Sequence, residues 1–167
     1  MLKFKKLQPN AFKFYANQSV KKYAEYIFES KEVSSMEEAL RVSREEVLPW
    51  VQEALTSKTH HFYRVKDGKN TTVGWIWFEL VDEGNVSFLV YIFIEPEYRG
   101  RGYAGELLKF YEQESKKLGA NQIVLFVFKI NKSAIRLYEK SGYKVVDEVS
   151  SFEATEPTRY KMVKDLV

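Results

Sequence analysis

The stretch Tyr98-Arg99-Gly100-Arg101-Gly102-Tyr103-Ala104-Gly105 lies between an apolar run, Val86–Ile94, and a segment with helical periodicity. Leu107, Leu108 and Tyr111 fall on one face of the expected helix at 3.6-residue spacing. A helix begins with free N–H groups and the positive end of its dipole, and glycine lets the backbone approach an anion closely. The sequence therefore predicts a strand, a glycine-rich loop and a helix that bind a phosphorylated ligand.

Periodic patterns and turn signals predict further elements on both sides of this unit. In chain order these are a strand at Leu2–Leu7, a helix around Val20–Phe28, a helical stretch from Ser34 or Ser35 to Leu55, strands at His60–Val65, Thr72–Val81 and Val86–Ile94, the helix after the loop, ending at Gly119, a strand at Ile123–Phe128, a helix from Ser133 to about Lys140, and strands at Lys144–Phe152 and Arg159–Val163. This order predicts an α/β fold with a mixed sheet and helices on both faces. The two strands around the loop and its helix are expected to run parallel.

Three local signals refine this outline. Ser35 followed by Glu38 predicts a capping box at the start of the second helix. Pro49 lies inside that helix, so we expect a kink or two helices that meet at Leu48. The pair Asp67-Gly68 predicts a hairpin between the strands that flank it.

Length and composition predict one domain, residues 1–167. Apolar residues make up 45% of the chain, and no apolar segment reaches the ~18 residues of a membrane span. The N-terminus lacks a long apolar signal core, so we expect a cytoplasmic protein with no membrane partner. We expect the protein to be a monomer or a homodimer.

Charge and cysteine content exclude several classes of site. The chain contains no cysteine, which excludes disulfides, thiolate metal sites and a cysteine nucleophile, and no metal is expected. The net charge of +3 is compatible with an anionic ligand but too small to indicate nucleic acid.

Two familiar glycine loops fit poorly. The P-loop pattern Gly-x-x-x-x-Gly-Lys-Ser/Thr is absent. Gly100, Gly102 and Gly105 do match the bare dinucleotide spacing Gly-x-Gly-x-x-Gly. That site needs an acidic ribose ligand about 20 residues further on, and residues 120–130 contain none. A dinucleotide-binding module is therefore disfavoured.

A third pattern covers more of the chain. The segment Arg99–Ala104 matches Arg/Gln-x-x-Gly-x-Gly/Ala, the acyl-CoA pyrophosphate loop of the GNAT N-acetyltransferase superfamily. The segment Asn131–Tyr143 resembles the family's second signature, Asn-x-x-Ala-x-x-Leu-Tyr-x-x-x-Gly-Phe/Tyr. The resemblance implies the GNAT fold, a mixed and mostly antiparallel sheet of about seven strands with about four helices and a splayed parallel pair in the middle. It also implies an acyltransferase that uses acetyl-CoA as co-substrate.

The resemblance also implies roles for individual residues. The loop residues Arg99, Gly100, Arg101, Gly102, Tyr103, Ala104 and Gly105 would hold the CoA pyrophosphate, mainly through backbone N–H groups. The backbone of Ile92, Phe93 and Ile94 would pair with the pantetheine arm. Asn131 would contact the CoA arm, and Tyr138 would be the general acid that protonates the departing thiolate.

Each of these residues also has an ordinary structural interpretation. The loop could be a plain glycine turn with solvated arginines, and Asn131 a helix cap. Tyr138 could be an aromatic core residue, and its ring could lie in the core while its hydroxyl acts. Six aromatic residues could line an acceptor pocket, although core packing is expected for most: Trp75, Trp77, Phe88, Tyr91, Phe126 and Phe128.

The general base does not follow from the resemblance. Many family members place a glutamate on one of the two parallel strands, where this chain has Phe88 and Phe126. Glu79 is a substitute, although an outward-facing strand carboxylate is the favoured interpretation. His60 and His61 could also serve, but adjacent histidines at a strand start are expected to be exposed; a water chain is equally open.

The sequence thus predicts an N-acetyltransferase in which a primary amine attacks acetyl-CoA directly in a ternary complex. The acceptor is a small-molecule amine or a protein or peptide amine. The alternative is a non-catalytic acyl-CoA-binding or regulatory domain on the same fold, which the missing glutamate base favours.

Overall fold

The computed structural model describes residues 1–150 and 154–167, and within them it has seven strands and four α-helices. In chain order they are β1 (Lys3–Lys6), α1 (Pro9–Glu29), α2 (Met36–Ala54), β2 (His60–Lys66), β3 (Thr72–Val81), β4 (Val86–Ile94), α3 (Tyr103–Lys117), β5 (Gln122–Phe128), α4 (Lys132–Lys140), β6 (Lys144–Val149) and β7 (Arg159–Asp165). The strands form one sheet in the order β1-β2-β3-β4-β5-β7-β6. This confirms the predicted fold class.

The sheet is mixed in strand direction. Strands β1 to β4 pair antiparallel in sequence order, whereas β4 pairs with β5 in parallel across α3. The parallel pair around the glycine-rich loop is therefore confirmed. The Asp67-Gly68 hairpin is also present, with Asp67 Oδ1 accepting from the N–H groups of Lys69 at 3.0 Å and Thr71 at 2.9 Å.

The chain divides into two compact units. The first contains residues 1–8, 58–125 and 163–167, and the second contains residues 9–57 and 126–162. In the first unit the apolar face of α3 is fully buried, with the Phe78 and Tyr111 ring centroids 4.9 Å apart. Beneath α3, Ser115 Oγ donates to Ser87 Oγ at 2.8 Å. Ser87 Oγ in turn lies 2.9 Å from the Tyr111 hydroxyl. These buried hydroxyls form hydrogen bonds with one another, as buried polar groups generally do.

The second unit contains the helical pair α1 and α2. Its core brings together Ala24 and Ile27 of α1, Ala39 and Val42 of α2, and Phe128. Helix α2 is continuous from Met36 to Ala54 with Pro49 inside it. The alternative prediction of two helices that meet at Leu48 was therefore wrong. Buried apolar side chains on both sides of Pro49 hold the helix together despite the backbone hydrogen bond that proline cannot make.

The start of α2 is capped much as predicted. Ser35 Oγ accepts from the Glu38 N–H at 3.2 Å. The carboxylate of Glu38 accepts from the N–H of Ser34 at 3.2 Å, where a capping box would use the N–H of Ser35. The helix therefore begins where the sequence indicated, with the reciprocal bond displaced by one residue.

A buried ionic network in the second unit was not predicted. The Arg159 guanidinium lies 3.3 Å from Glu32 Oε2 and 3.4 Å from Glu46 Oε2, and the Glu32 side chain is fully buried. Thr158 Oγ1 also donates to Glu32, and Tyr23 donates to Glu46 at 2.6 Å. The network ties α1, α2 and the segment between them to the start of β7.

The last predicted strand pair is present with altered limits. Strand β6 ends at Val149, and residues 151 and 152 of the predicted Lys144–Phe152 strand lie outside the described residues. Strand β7 continues past the predicted Val163 to Asp165. Within the described ranges, no helix combines the length and apolarity that crossing a membrane requires.

Candidate functional site

The glycine-rich loop has a backbone that requires glycine. Gly100 has φ +74° and Gly102 has φ +79°, both in the left-handed region. A Cβ added at either position would meet nothing within 4 Å. The requirement is therefore conformational rather than steric.

The loop ends in an open helix N-terminus. Gly102 is the N-cap of α3 and makes no side-chain cap. The first intrahelical bond runs from the Glu106 N–H to the Gly102 carbonyl at 3.2 Å, so the N–H groups of Tyr103, Ala104 and Gly105 precede it. Three adjacent N–H groups at the positive end of a 15-residue helix form a suitable cradle for a phosphate.

The two loop arginines are braced against backbone and aromatic rings. Arg99 Nε donates to the Ile94 carbonyl at 2.8 Å, and its guanidinium lies 5.5 Å from the Phe93 ring centroid. Arg101 Nη2 donates to the Glu97 carbonyl at 3.1 Å. Each arginine uses one donor to fix the loop and keeps its charge beside it.

Strand β4 changes its pairing before it reaches the loop. Its register with β3 jumps from Trp77↔Tyr91 to Phe78↔Leu89, so Val90 is the extra residue of a β-bulge. The parallel ladder with β5 runs from Val86↔Gln122 to Leu89↔Leu125. Residues 92–94, the predicted pantetheine contacts, therefore follow the bulge, pair with β3 along one edge and lie past the end of the parallel ladder.

Gly74 of β3 positions that segment and was not singled out from the sequence. A Cβ on Gly74 would lie 2.2 Å from the Phe93 carbonyl oxygen and 2.8 Å from Ile94 Cδ1. Glycine inside a strand is a signal of close backbone approach. That signal was available in the sequence, but the partner backbone depends on the register.

Asn131 lies in the second unit and caps α4. Its Oδ1 accepts from the Ala134 N–H at 3.3 Å and from Ser133 Oγ at 3.2 Å. Its Nδ2 donates to the Tyr26 hydroxyl at 3.0 Å. The cap interpretation is confirmed. Tyr26 is a hydrogen-bond partner of Asn131 that no sequence motif indicates.

Tyr138 is buried in the same unit, with 5% of its surface exposed. Its ring centroid lies 5.6 Å from that of Tyr143, so the ring packs in the core as expected. Burial raises the pKa of the Tyr138 hydroxyl well above its usual range, and Tyr26 raises it further. Tyr138 is therefore a neutral phenol that holds its proton at neutral pH.

The candidate bases are less exposed than predicted. His60 and His61 are buried, so the expectation of exposed histidines was wrong. The His60 ring lies beside the rings of Phe62 and Trp77, and the His61 ring stacks on Phe78, so aromatic neighbours cover both histidines. The Glu79 side chain is only 15% exposed, so the prediction of an outward-facing carboxylate was wrong as well.

The hydrogen bonds of His60 determine its tautomer. Trp77 Nε1 donates to His60 Nδ1 at 2.9 Å, so the proton of the neutral ring lies on Nε2. Nε2 lies 3.5 Å from Glu79 Oε1, which is long for a hydrogen bond. Burial lowers the pKa of His60 to about 4. The Nε2 proton of His60 therefore makes no hydrogen bond within the described residues, and the Nδ1 lone pair is already used by Trp77.

His61 lies on the opposite face of β2. Its ring stacks on Phe78 with centroids 5.1 Å apart. Burial, aided by Lys6, lowers its pKa to about 4 as well. It does not join the face that carries His60, Trp77 and Glu79.

The aromatic residues considered for a pocket wall mostly belong to the core. Trp75, Trp77 and Phe128 are buried, as expected for core packing. Tyr91 stacks on Trp75 at 4.9 Å. Phe126 is 44% exposed and remains the candidate with the most accessible ring.

Comparison with known proteins confirms the resemblance. A model of the acetyltransferase (GNAT) family matches residues 23–143. The Bacillus subtilis (strain 168) protein named uncharacterized N-acetyltransferase YycN is 28% identical over 149 residues, covering 87% of this chain and 94% of that protein. The crystal structure of YycN matches with a TM-score of 0.82 and 26% identity, over 93% of this chain and 100% of that chain.

A second solved structure shows the same fold at lower identity. The spermidine N-acetyltransferase of Vibrio cholerae, in complex with CoA and spermine, matches with a TM-score of 0.69 and 19% identity, over 99% of this chain and 95% of that chain. The family model covers more than half of the chain and spans the glycine-rich loop and the Asn131–Tyr143 segment. The protein therefore belongs to the acetyltransferase (GNAT) family and is an N-acetyltransferase, an enzyme of the acyltransferase class.

Proposed function

We propose that the protein transfers an acetyl group from acetyl-CoA to a primary amine by direct attack in a ternary complex. The observation that carries this proposal is the bulged end of β4, followed by a glycine loop and an uncapped α3 N-terminus. A strand edge and a cradle of N–H groups in direct succession suit a ligand with an amide-containing arm and a pyrophosphate.

The loop supplies the donor site in this proposal. The N–H groups of Tyr103, Ala104 and Gly105 bind the pyrophosphate, and Arg99 and Arg101 add positive charge. The backbone of residues 92–94 hydrogen-bonds the pantetheine amides as an added strand would. The related Vibrio cholerae structure contains CoA, which supports this choice of ligand.

Tyr138 acts as the general acid. The amine nitrogen attacks the thioester carbonyl carbon, and the carbon–sulfur bond breaks as the tetrahedral intermediate collapses. The departing thiolate takes the Tyr138 proton, and the proton of the amine passes to a base. Tyr138 is protonated at neutral pH and can therefore give the departing sulfur a proton or a hydrogen bond, although its raised pKa makes it a weaker acid than an exposed tyrosine.

Glu79 is the base that we favour among the residues considered. A protonated amine with a pKa of about 10.4 must lose a proton before it attacks. The lone pair of His60 Nδ1 accepts from Trp77, and His61 faces the other way. Glu79 is partly shielded, and its Oε1 lies 3.5 Å from His60 Nε2. A water chain from Glu79 to the amine would complete the path.

The acceptor remains a small-molecule amine or a protein or peptide amine. The related Vibrio cholerae enzyme was crystallised with spermine, which supports including polyamines among the amines to be tested. The second candidate function is a non-catalytic acyl-CoA-binding domain. It is favoured by Phe88 and Phe126, which lie where the family resemblance leads us to expect a glutamate base.

Release of free thiol from acetyl-CoA, measured across a panel of amines, tests the proposal. We expect at least one amine to stimulate release, and Tyr138→Phe to retain acetyl-CoA affinity while turnover falls by 10²-fold or more, the contribution typical of a general acid. Tyr143→Phe is the matched control, because it removes a hydroxyl from a buried neighbouring tyrosine, and it should turn over normally. Acetyl-CoA binding without release by any amine would favour the non-catalytic candidate.

A further inference from the structure

Strand β6 is the last strand of the sheet and is exposed on both faces. All of its residues except Val149 are exposed, and Val145 and Val146 are 43% and 58% exposed. An edge strand with exposed valines presents a row of N–H and C=O groups to another chain.

The hydrogen bonds show which β6 residues point outwards. The Val149 carbonyl accepts from the Thr158 N–H at 3.1 Å, so Val149 points towards β7. The N–H and C=O groups of successive residues alternate between the two edges of a strand. Lys144, Val146 and Glu148 therefore point to the open edge. The Glu148 N–H agrees, because it donates to its neighbour Asp147 Oδ1 at 2.8 Å.

We propose that a second copy of this chain covers this edge, with the two β6 strands antiparallel around a two-fold axis at Val146. In this register Val146 lies opposite the partner's Val146, and Lys144 lies opposite the partner's Glu148. All of these residues belong to the outward-pointing set, so each opposed pair can exchange two backbone hydrogen bonds. The strand pairing joins the sheets of the two chains into one continuous sheet.

Charge selects this register over its neighbours. Centring the axis on Asp147 would place two aspartates opposite each other, and centring it on Val145 would leave Lys144 opposite a valine. Of these three registers, only the one centred on Val146 places Lys144 of each chain opposite Glu148 of the other chain. Charges on an edge strand normally discourage pairing, but here the same charges are self-complementary.

The local ion pairs are compatible with this pairing. Glu148 Oε2 lies 2.6 Å from Lys129 Nζ within the same chain. The partner's Lys144 would place a second cation beside a carboxylate that has room for both, since the Glu148 side chain is 49% exposed. The Glu148 N–H would exchange its bond to Asp147 for one across the interface. A closed two-fold contact of this kind produces a dimer and no longer assembly.

Sedimentation equilibrium over a range of micromolar concentrations tests the proposal. The wild type should sediment with twice the mass of one chain. Val146→Lys opposes two lysines at the axis and should reduce the mass to that of one chain. Val145→Lys is the matched control: it opposes the partner's Asp147 in this register and should remain dimeric. Circular dichroism checks that both variants fold.

A mixing experiment gives an independent readout. Lys144→Glu and Glu148→Lys should each be monomeric alone, because each opposes like charges. Mixed in equal amounts, they should recover the dimeric mass as a heterodimer with opposite charges at both positions. A monomeric wild type, a dimeric Val146→Lys, or a mixture that stays monomeric would overturn the proposal.

Discussion

Replacing Gly102 by alanine tests the claim that the loop conformation builds the donor site. The added methyl group would meet nothing within 4 Å, so its entire effect comes from φ, which is +79°. A left-handed conformation costs an L-residue about 1–2 kcal/mol. The smaller backbone entropy of alanine in the unfolded chain returns about 0.4–1 kcal/mol. We therefore expect a net loss of about 1 kcal/mol in unfolding free energy.

Two measurements follow from this value. For a chain of this length, about 1 kcal/mol lowers the melting temperature by about 2–4 °C. If instead the alanine loop relaxes in the free enzyme, the melting temperature changes less, and acetyl-CoA must restore the strained form, so its affinity should fall by about fivefold. Thermal unfolding and calorimetric titration measure these effects.

Gly68→Ala is the matched control. Gly68 also has open space around its Cβ position, but its φ lies outside the left-handed region. This variant should be as stable as the wild type or slightly more so, with unchanged acetyl-CoA affinity. The reasoning is refuted if Gly102→Ala matches Gly68→Ala in both melting temperature and affinity.

Three further predictions concern parts of the structure around the site. Gly74→Ala forces the end of β4 to shift, so we expect an unfolding free energy lower by about 1–3 kcal/mol and weaker acetyl-CoA binding; unchanged urea unfolding would contradict the close approach. Arg159→Met leaves the buried Glu32 carboxylate without its guanidinium partner and should cost about 3–5 kcal/mol in urea unfolding, part of which a second change, Glu32→Gln, should restore. Burial lowers the pKa values of His60 and His61 to about 4 in the folded chain, whereas an exposed histidine has a pKa of about 6.5. Between pH 4 and pH 6.5 the unfolded chain therefore binds more protons than the folded chain. Stability should therefore fall on acidification, by about 2 kcal/mol per histidine between pH 7 and pH 5, and a flat profile would contradict two buried neutral rings.

The elements around the loop could be predicted because their causes are local. The strand before it is a continuous apolar run, and the loop needs glycine for φ. The helix after it follows a 3.6-residue pattern and stops at Gly119, where φ is +103°. Asn131 could be predicted as a cap for the same reason, since its Oδ1 accepts from the nearby residues 133 and 134.

The missed features depend on contacts between distant residues. The burial of His60 and His61 depends on the rings of Trp77 and Phe78 on the neighbouring strand, which periodicity cannot supply. The bond from Asn131 to Tyr26 joins residues 105 positions apart. The ionic network around Arg159 likewise depends on tertiary packing. A single sequence shows the residue types at these positions but not their partners.

Calorimetric titration with acetyl-CoA, using NADH as the control ligand, tests the central claim most directly. The donor site described above predicts saturable binding of acetyl-CoA at micromolar concentrations and no heat of binding from NADH. Absence of acetyl-CoA binding at those concentrations, or binding of NADH in its place, would contradict it.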